Sequence, residues 1–176
     1  MPKKIITAVA LCGVAAVAGV GWPIVSARDT VLSTPDTVGP LRLDLSDDGR
    51  STAENLRTVL SDGITVKTAV GAVYLDGTGK NVRFLGGTKS MWAPGSVLDS
   101  AFGLLADKAH TEATDLHTVD AGPLGGTMKC GTAAADTVCG WADHGSLALA
   151  VFTGRAESDS AQLLRRLREA AESDVR

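Results

Sequence analysis

Residues 126–152 read GTMKCGTAAADTVCGWADHGSLALAVF. Short runs of β-branched, aliphatic and aromatic residues alternate here with two turn clusters, one of Ala and Asp around position 135 and one at Asp143 to Gly145. That spacing predicts strands near Gly126 to Gly131, Val138 to Ala142 and Ser146 to Phe152, joined as successive hairpins. A further strand is expected near Asp115 to Asp120. From about Ser158 the period changes to that of a helix, burying Leu163, Leu164, Leu167, Ala170 and Ala171. Arg165, Arg166 and Arg168 fall beside Glu169 and Glu172 and are assigned to its solvated face.

Working outward toward the N-terminus, Ile64 to Asp76 is β-branched and alternating, Asp76 to Lys80 is a turn, and Asn81 to Leu85 returns as a second strand. Pro94, Gly95 and Ser96 open a helix that runs to about Lys108, with Val97, Leu98, Ala101, Leu104 and Leu105 on its core side. Further upstream, Ser51 to Glu54 has the form of a capping box, opening a helix that stops at Gly63. Leu41, Leu43 and Leu45 alternate with polar residues as a half-buried strand. Hairpins interspersed with helices define an α+β protein, expected as a single antiparallel sheet with helices packed on one face. One internal similarity refines this. Tyr74, Leu75, Asp76 and Trp141, Ala142, Asp143 each place an aromatic two residues before an aspartate, then a turn, a strand, a glycine and a helix, the pattern of a ββα duplication.

The chain has three cysteines, and Cys12 falls in a leader-like segment, which leaves Cys130 and Cys139 as a pair. Placed on adjacent strands of a hairpin and exported, they are expected to form a disulfide, stabilising by about 2–3 kcal/mol in the chain-entropy account. The competing use, zinc ligation by Cys130, Cys139 and His144 with His110 or His117, has no recognised ligand spacing.

Residues 1–27 carry the location signal. Lys3 and Lys4 precede an apolar run from Ile5 to Gly21, and Pro23 precedes the small residues Val25, Ser26 and Ala27. These are the three regions of an export signal, cleaved before Arg28. The stretch from Ile5 to Val25 is also long enough to span about 30 Å of hydrocarbon as an uncleaved anchor, with Trp22 at the outer interface. Either way the remainder is expected outside the cytoplasm, with 28–36 as a linker and 37–176 as one domain. Lys+Arg 17 against Asp+Glu 20 gives a formal net charge of −3 over 176 residues. Without a basic surplus, a nucleic-acid partner is disfavoured.

No catalytic residue and no cofactor motif can be assigned. Gly77, Thr78, Gly79 and Lys80 lack the upstream glycine and following hydroxyl of a phosphate-binding loop and read as a turn. Asp143, His144 and Ser146 are too close in sequence to stack as a triad. The run Asp120 to Gly126, followed by Lys129, Cys130, Gly131 and by Cys139 to Asp143, together with Tyr74 to Gly87, resembles a family of uncharacterised exported or membrane-anchored actinobacterial proteins over most of residues 31–171. The resemblance implies an extracytoplasmic domain and supplies no activity. The expected function is therefore non-catalytic binding or sensing of an extracytoplasmic protein, cell-wall component or small molecule, with the membrane reached through the N-terminal segment if it stays attached. The alternative is a secreted hydrolase drawing on Asp76, Asp143 and His144. Trp141, Asp143 and His144, on the cross-linked hairpin and its turn, are the candidate recognition residues.

Overall fold

Along Ser146–Phe152 every residue is buried, and the side chains alternate between two different cores. Leu147, Leu149 and Val151 enter one core; Ala148, Ala150 and Phe152 enter the other. A strand buried on both faces needs a layer on each side, and that requirement sets the architecture.

The computed structural model describes residues 30–174. In chain order the elements are β1 (Thr30–Leu32), β2 (Thr37–Val38), β3 (Leu41–Leu43), α1 (Asp47–Gly63), β4 (Thr68–Leu75), β5 (Asn81–Thr88), α2 (Pro94–Ala109), β6 (Thr114–Val119), β7 (Thr127–Ala133), β8 (Asp136–Ala142), β9 (Ser146–Phe152), α3 (Glu157–Ala171) and β10 (Glu172–Asp174). Eight strands form one antiparallel sheet in the order β2-β3-β4-β5-β9-β8-β7-β6, and β1 pairs with β10 as a separate two-stranded ribbon. The protein is thus α+β, an antiparallel sheet bearing helices.

The helices divide between the two faces instead of sharing one. Leu56 and Leu60 of α1 and Leu98, Ala101 and Leu105 of α2 pack with Leu85, Leu147 and Leu149. Leu163, Leu164 and Leu167 of α3 pack on the opposite face with Phe84, Trp141 and Phe152. Leaving either row in water would forfeit about 1.5–3 kcal/mol per large side chain. α1 lies so close to β4 that a Cβ at Gly71 would clash with the Ala53 carbonyl oxygen.

The proposed duplication holds for the hairpins and fails for the helices. β4–β5 and β8–β9 are joined side by side through β5 and β9, and Tyr74 and Trp141 point to the same face. The helices that follow them, α2 and α3, then cross to opposite faces.

Two local expectations also change. α1 starts at Asp47, because Ser46 accepts from the Gly49 amide and Asp47 and Asp48 favour the helix dipole, so the cap lies five residues before Ser51. The segment expected as a linker contains β1, whose Leu32 is buried against Gly86 and whose neighbour Ser33 donates its amide to Ala171. Residues 1–27, with Cys12, lie outside the described residues. Among the described residues no helix is long and apolar enough to cross a membrane.

Candidate functional site

Cys130 and Cys139 oppose each other across β7 and β8 and are joined, Sγ to Sγ at 2.03 Å. The bridge lies in the core beneath α3. Two positions along β8, on the same face, the Trp141 ring is fully buried, stacked on Phe84 with centroids 5.8 Å apart. Its Nε1–H donates to Ser146 Oγ at 3.0 Å, which supplies the partner a buried indole requires.

The turn that follows is held by Asp143. Its Oδ1 accepts from the Gly145 and Ser146 amides, each at 2.7 Å, and its Oδ2 accepts from Arg168 at 2.5 Å. Arg168 is 1% exposed, not solvated, and its guanidinium lies 5.6 Å from the Trp141 ring centroid. It also donates to Glu172 at 2.8 Å and to the Gly125 carbonyl at 2.6 Å. One buried cation thus ties α3, β10, the β8–β9 turn and the loop before β7. Two carboxylates share that cation. Burial, and then the charge of Asp143, push the Glu172 carboxyl above its ordinary value, partly opposed by Arg168.

The same turn pins a second loop. Between β5 and α2, the Lys89 amide donates to the Gly145 carbonyl at 2.9 Å and the Met91 amide to the His144 carbonyl at 3.0 Å. His144 Nδ1 lies 2.8 Å from the Met91 carbonyl, an acceptor only, so Nδ1 carries the proton. Met91 is buried, and next to it Trp92 is 83% exposed. Pro94 then fixes the start of α2. The Asp143–Gly145 turn therefore presents an exposed imidazole beside a loop that presents an exposed indole.

Of the candidate recognition residues, His144 is exposed, Trp141 is wholly internal, and both oxygens of Asp143 are engaged within the fold. Asp76 is not part of this site. It caps the β4–β5 turn at the other end of the sheet, beside Phe152 rather than Ser146, roughly 20 Å away by strand rise. There it accepts from the Thr78 hydroxyl and amide and the Lys80 amide and pairs with Arg155, so the Gly77 to Lys80 segment is a hairpin turn. The hydrolase set of Asp76, Asp143 and His144 is accordingly split between the two ends. The histidines considered for zinc are also dispersed. His117 bonds the Asp115 carbonyl and Glu157, and His110 ends α2 in a left-handed conformation. Among the described residues no group of three or more His, Cys, Asp or Glu could hold a metal ion.

The sequence pattern does not reveal Trp92, the hydrogen bond of Ser146 to the Trp141 indole, the inward-facing Glu172 or the burial of Arg168. The last had a signal: Arg168 stands four residues after Leu164 and three before Ala171, on the apolar stripe itself. Comparison with protein families, with curated proteins and with solved structures finds no match to this chain.

Proposed function

We propose that this protein is an extracytoplasmic, non-catalytic binding or sensing domain, held near the membrane by its N-terminal segment or released from it, with Trp92 and His144 as its recognition edge. The observation that carries the reading is the exposed indole of Trp92 on a loop fixed by three hydrogen bonds to a neighbouring turn. An indole in water forgoes a large burial energy, and a rigid loop loses little entropy when the ring is covered. Tryptophans so placed are enriched among residues that dominate binding. Asp143 and Trp141 serve this edge from beneath, one shaping the turn and the other filling the core under it. The partner class is an extracytoplasmic protein, a cell-wall component or a small molecule.

The test is a photo-crosslinking residue at position 92 in living cells, with the same residue at position 78, on the opposite end of the sheet, as the control. A discrete product from position 92 that is missing from position 78 is expected, and His144→Ala, which also removes one of the three hydrogen bonds fixing the loop, should reduce it several-fold at a stability cost of about 1 kcal/mol. Identical patterns from the two positions would overturn the recognition edge. Location is read separately, by a reporter fused after Arg176 that is active only outside the cytoplasm; an inactive reporter would overturn the extracytoplasmic reading.

A further inference from the structure

Four side chains stand out at the end of the sheet where β5 finishes and β9 begins. Trp92 is 83% exposed and Leu124, on the loop whose Gly125 carbonyl Arg168 holds, is 48% exposed. Lys67 and Lys89 flank Thr88 there: the Lys67 amide donates to the Thr88 carbonyl, and Lys89 follows it in sequence. Among the described residues neither ammonium group is paired with a carboxylate. Of the acidic groups of this end, Asp143 and Glu172 point inward to Arg168, while Asp120, on the loop that carries Leu124, is exposed and accepts from the Gly122 amide.

The chain also enters the fold at this end. Asp36 accepts from the amide of Leu43, which opposes Tyr74, near the far end of the sheet. Four residues earlier Leu32 lies on Gly86, close to Thr88. Traced backward, the backbone climbs toward the Trp92 end, and β1 carries it on to Thr30. From Val25, the last residue of the stretch long enough to span, to Thr30 a fully extended chain reaches only about 17 Å. If that run remains in the bilayer, the end of the sheet bearing Trp92 is tethered within touching distance of the headgroups.

We infer that this end docks on the bilayer surface, with Trp92 and Leu124 in the interfacial layer and Lys67 and Lys89 against anionic headgroups. The inference deepens the recognition-edge reading by naming its partner, and it rests on residues 5–25 remaining attached. Indole rings favour the interfacial layer, and lysines lay their methylenes along it while the ammonium reaches phosphate. Two basic groups beside two apolar ones fit an anionic lipid surface better than a neutral one.

The full chain, reconstituted in vesicles of phosphatidylcholine and phosphatidylglycerol, tests this through tryptophan emission. The chain has three tryptophans, so the difference between wild type and Trp92→Phe isolates the signal of Trp92. Acyl chains brominated near the headgroup should quench that difference at least two-fold, and aqueous iodide should quench it less than in detergent. Lys67→Glu with Lys89→Glu should reverse both effects. Full access to iodide with no quenching by brominated lipid would overturn the docking. So would protection from iodide without lipid quenching, which would assign the edge to a protein, including a second copy of this chain. A mature chain beginning at Arg28 overturns it too. Negative lipid quenching with a specific crosslink from position 92 rejects the bilayer as partner and leaves the recognition edge standing; no crosslink rejects the edge itself.

Discussion

Arg168 is the residue on which most of the polar interior depends. Its charge is opposed by two carboxylates, so removing it leaves Asp143 and Glu172 facing each other without a cation. Arg168→Met is expected to cost about 3–5 kcal/mol, the usual penalty for orphaning buried charge, measured by urea unfolding. Glu172→Gln should change stability by less than about 1 kcal/mol at neutral pH, because the Glu172 carboxyl is already raised and the neutral amide removes the surplus negative charge. The sign follows from linkage: a raised carboxyl contributes most below its ordinary value of 4.5 and loses that contribution as pH rises through the folded value. Asp143→Ala removes the acceptor of the Gly145 and Ser146 amides as well as the ion pair, and about 2–4 kcal/mol is expected. An Asp143→Ala protein as stable as wild type would refute the structural role given to that side chain. At the far end of the sheet Asp76 behaves oppositely. The Thr78 hydroxyl, with the Thr78 and Lys80 amides and Arg155, lowers its carboxyl from 3.8 to about 2. Its contribution is complete above about pH 4 and is lost as pH falls through about 2. Asp76→Asn should therefore flatten the fall in urea midpoint between those two values, and an unchanged acid profile would remove Asp76 from the account.

At the scale of elements, the β7–β8 hairpin is the best-secured unit. Its bridge closes a sequence separation of 9, and Cys130 and Cys139 lie within the core beneath α3. Replacing both with Ser should lower stability by about 2–3 kcal/mol while preserving the circular dichroism of the fold, since the sheet and two other helices retain their burial. Loss of cooperative unfolding in that variant would show that the bridge is essential to the core. Most of this layer was legible in advance. The pattern of Ser146 to Phe152 has the bounds of β9, and α2 and α3 begin within one residue of their expected starts. The start of α1 was misread because Ser51 to Glu54 imitates a cap, while the operative cap is Ser46, whose hydroxyl accepts from Gly49. β1 has no sequence signal because three residues carry no periodicity, and what holds it is distant: β10, which follows 140 residues later, and the contact of Leu32 with Gly86 of β5.

For the whole molecule, the patterns along the chain determined the α+β class, the succession of strands from β3 to β9, the pairing of Cys130 with Cys139 and the amphipathic helices, all of which arise from contacts between near neighbours or from the period of burial. Even the second covered face was implicit in the unbroken apolar run from Leu147 to Phe152, since alternation with polar residues would be required if one face were wet. Which helix covers which face was decided only by tertiary packing, because the stripes of α2 and α3 are both apolar and either could lie on either side. The candidate site was legible in one part, the Asp143 to Gly145 turn. Its exposed member, Trp92, was not, because an aromatic beside Met91 and ahead of Pro94 reads equally well as core. Local sequence specifies that a tryptophan is there, whereas the hydrogen bonds from Lys89 and Met91 to a turn more than 50 positions away decide that it faces water. The same holds for Arg168: its charge suggested solvent, and only the convergence of Asp143, Glu172 and the Gly125 carbonyl from three separate segments makes its burial tolerable. Periodicity reports how much of a residue is covered on average along an element, and the identity of the group that covers it is fixed by chain crossings that periodicity does not encode.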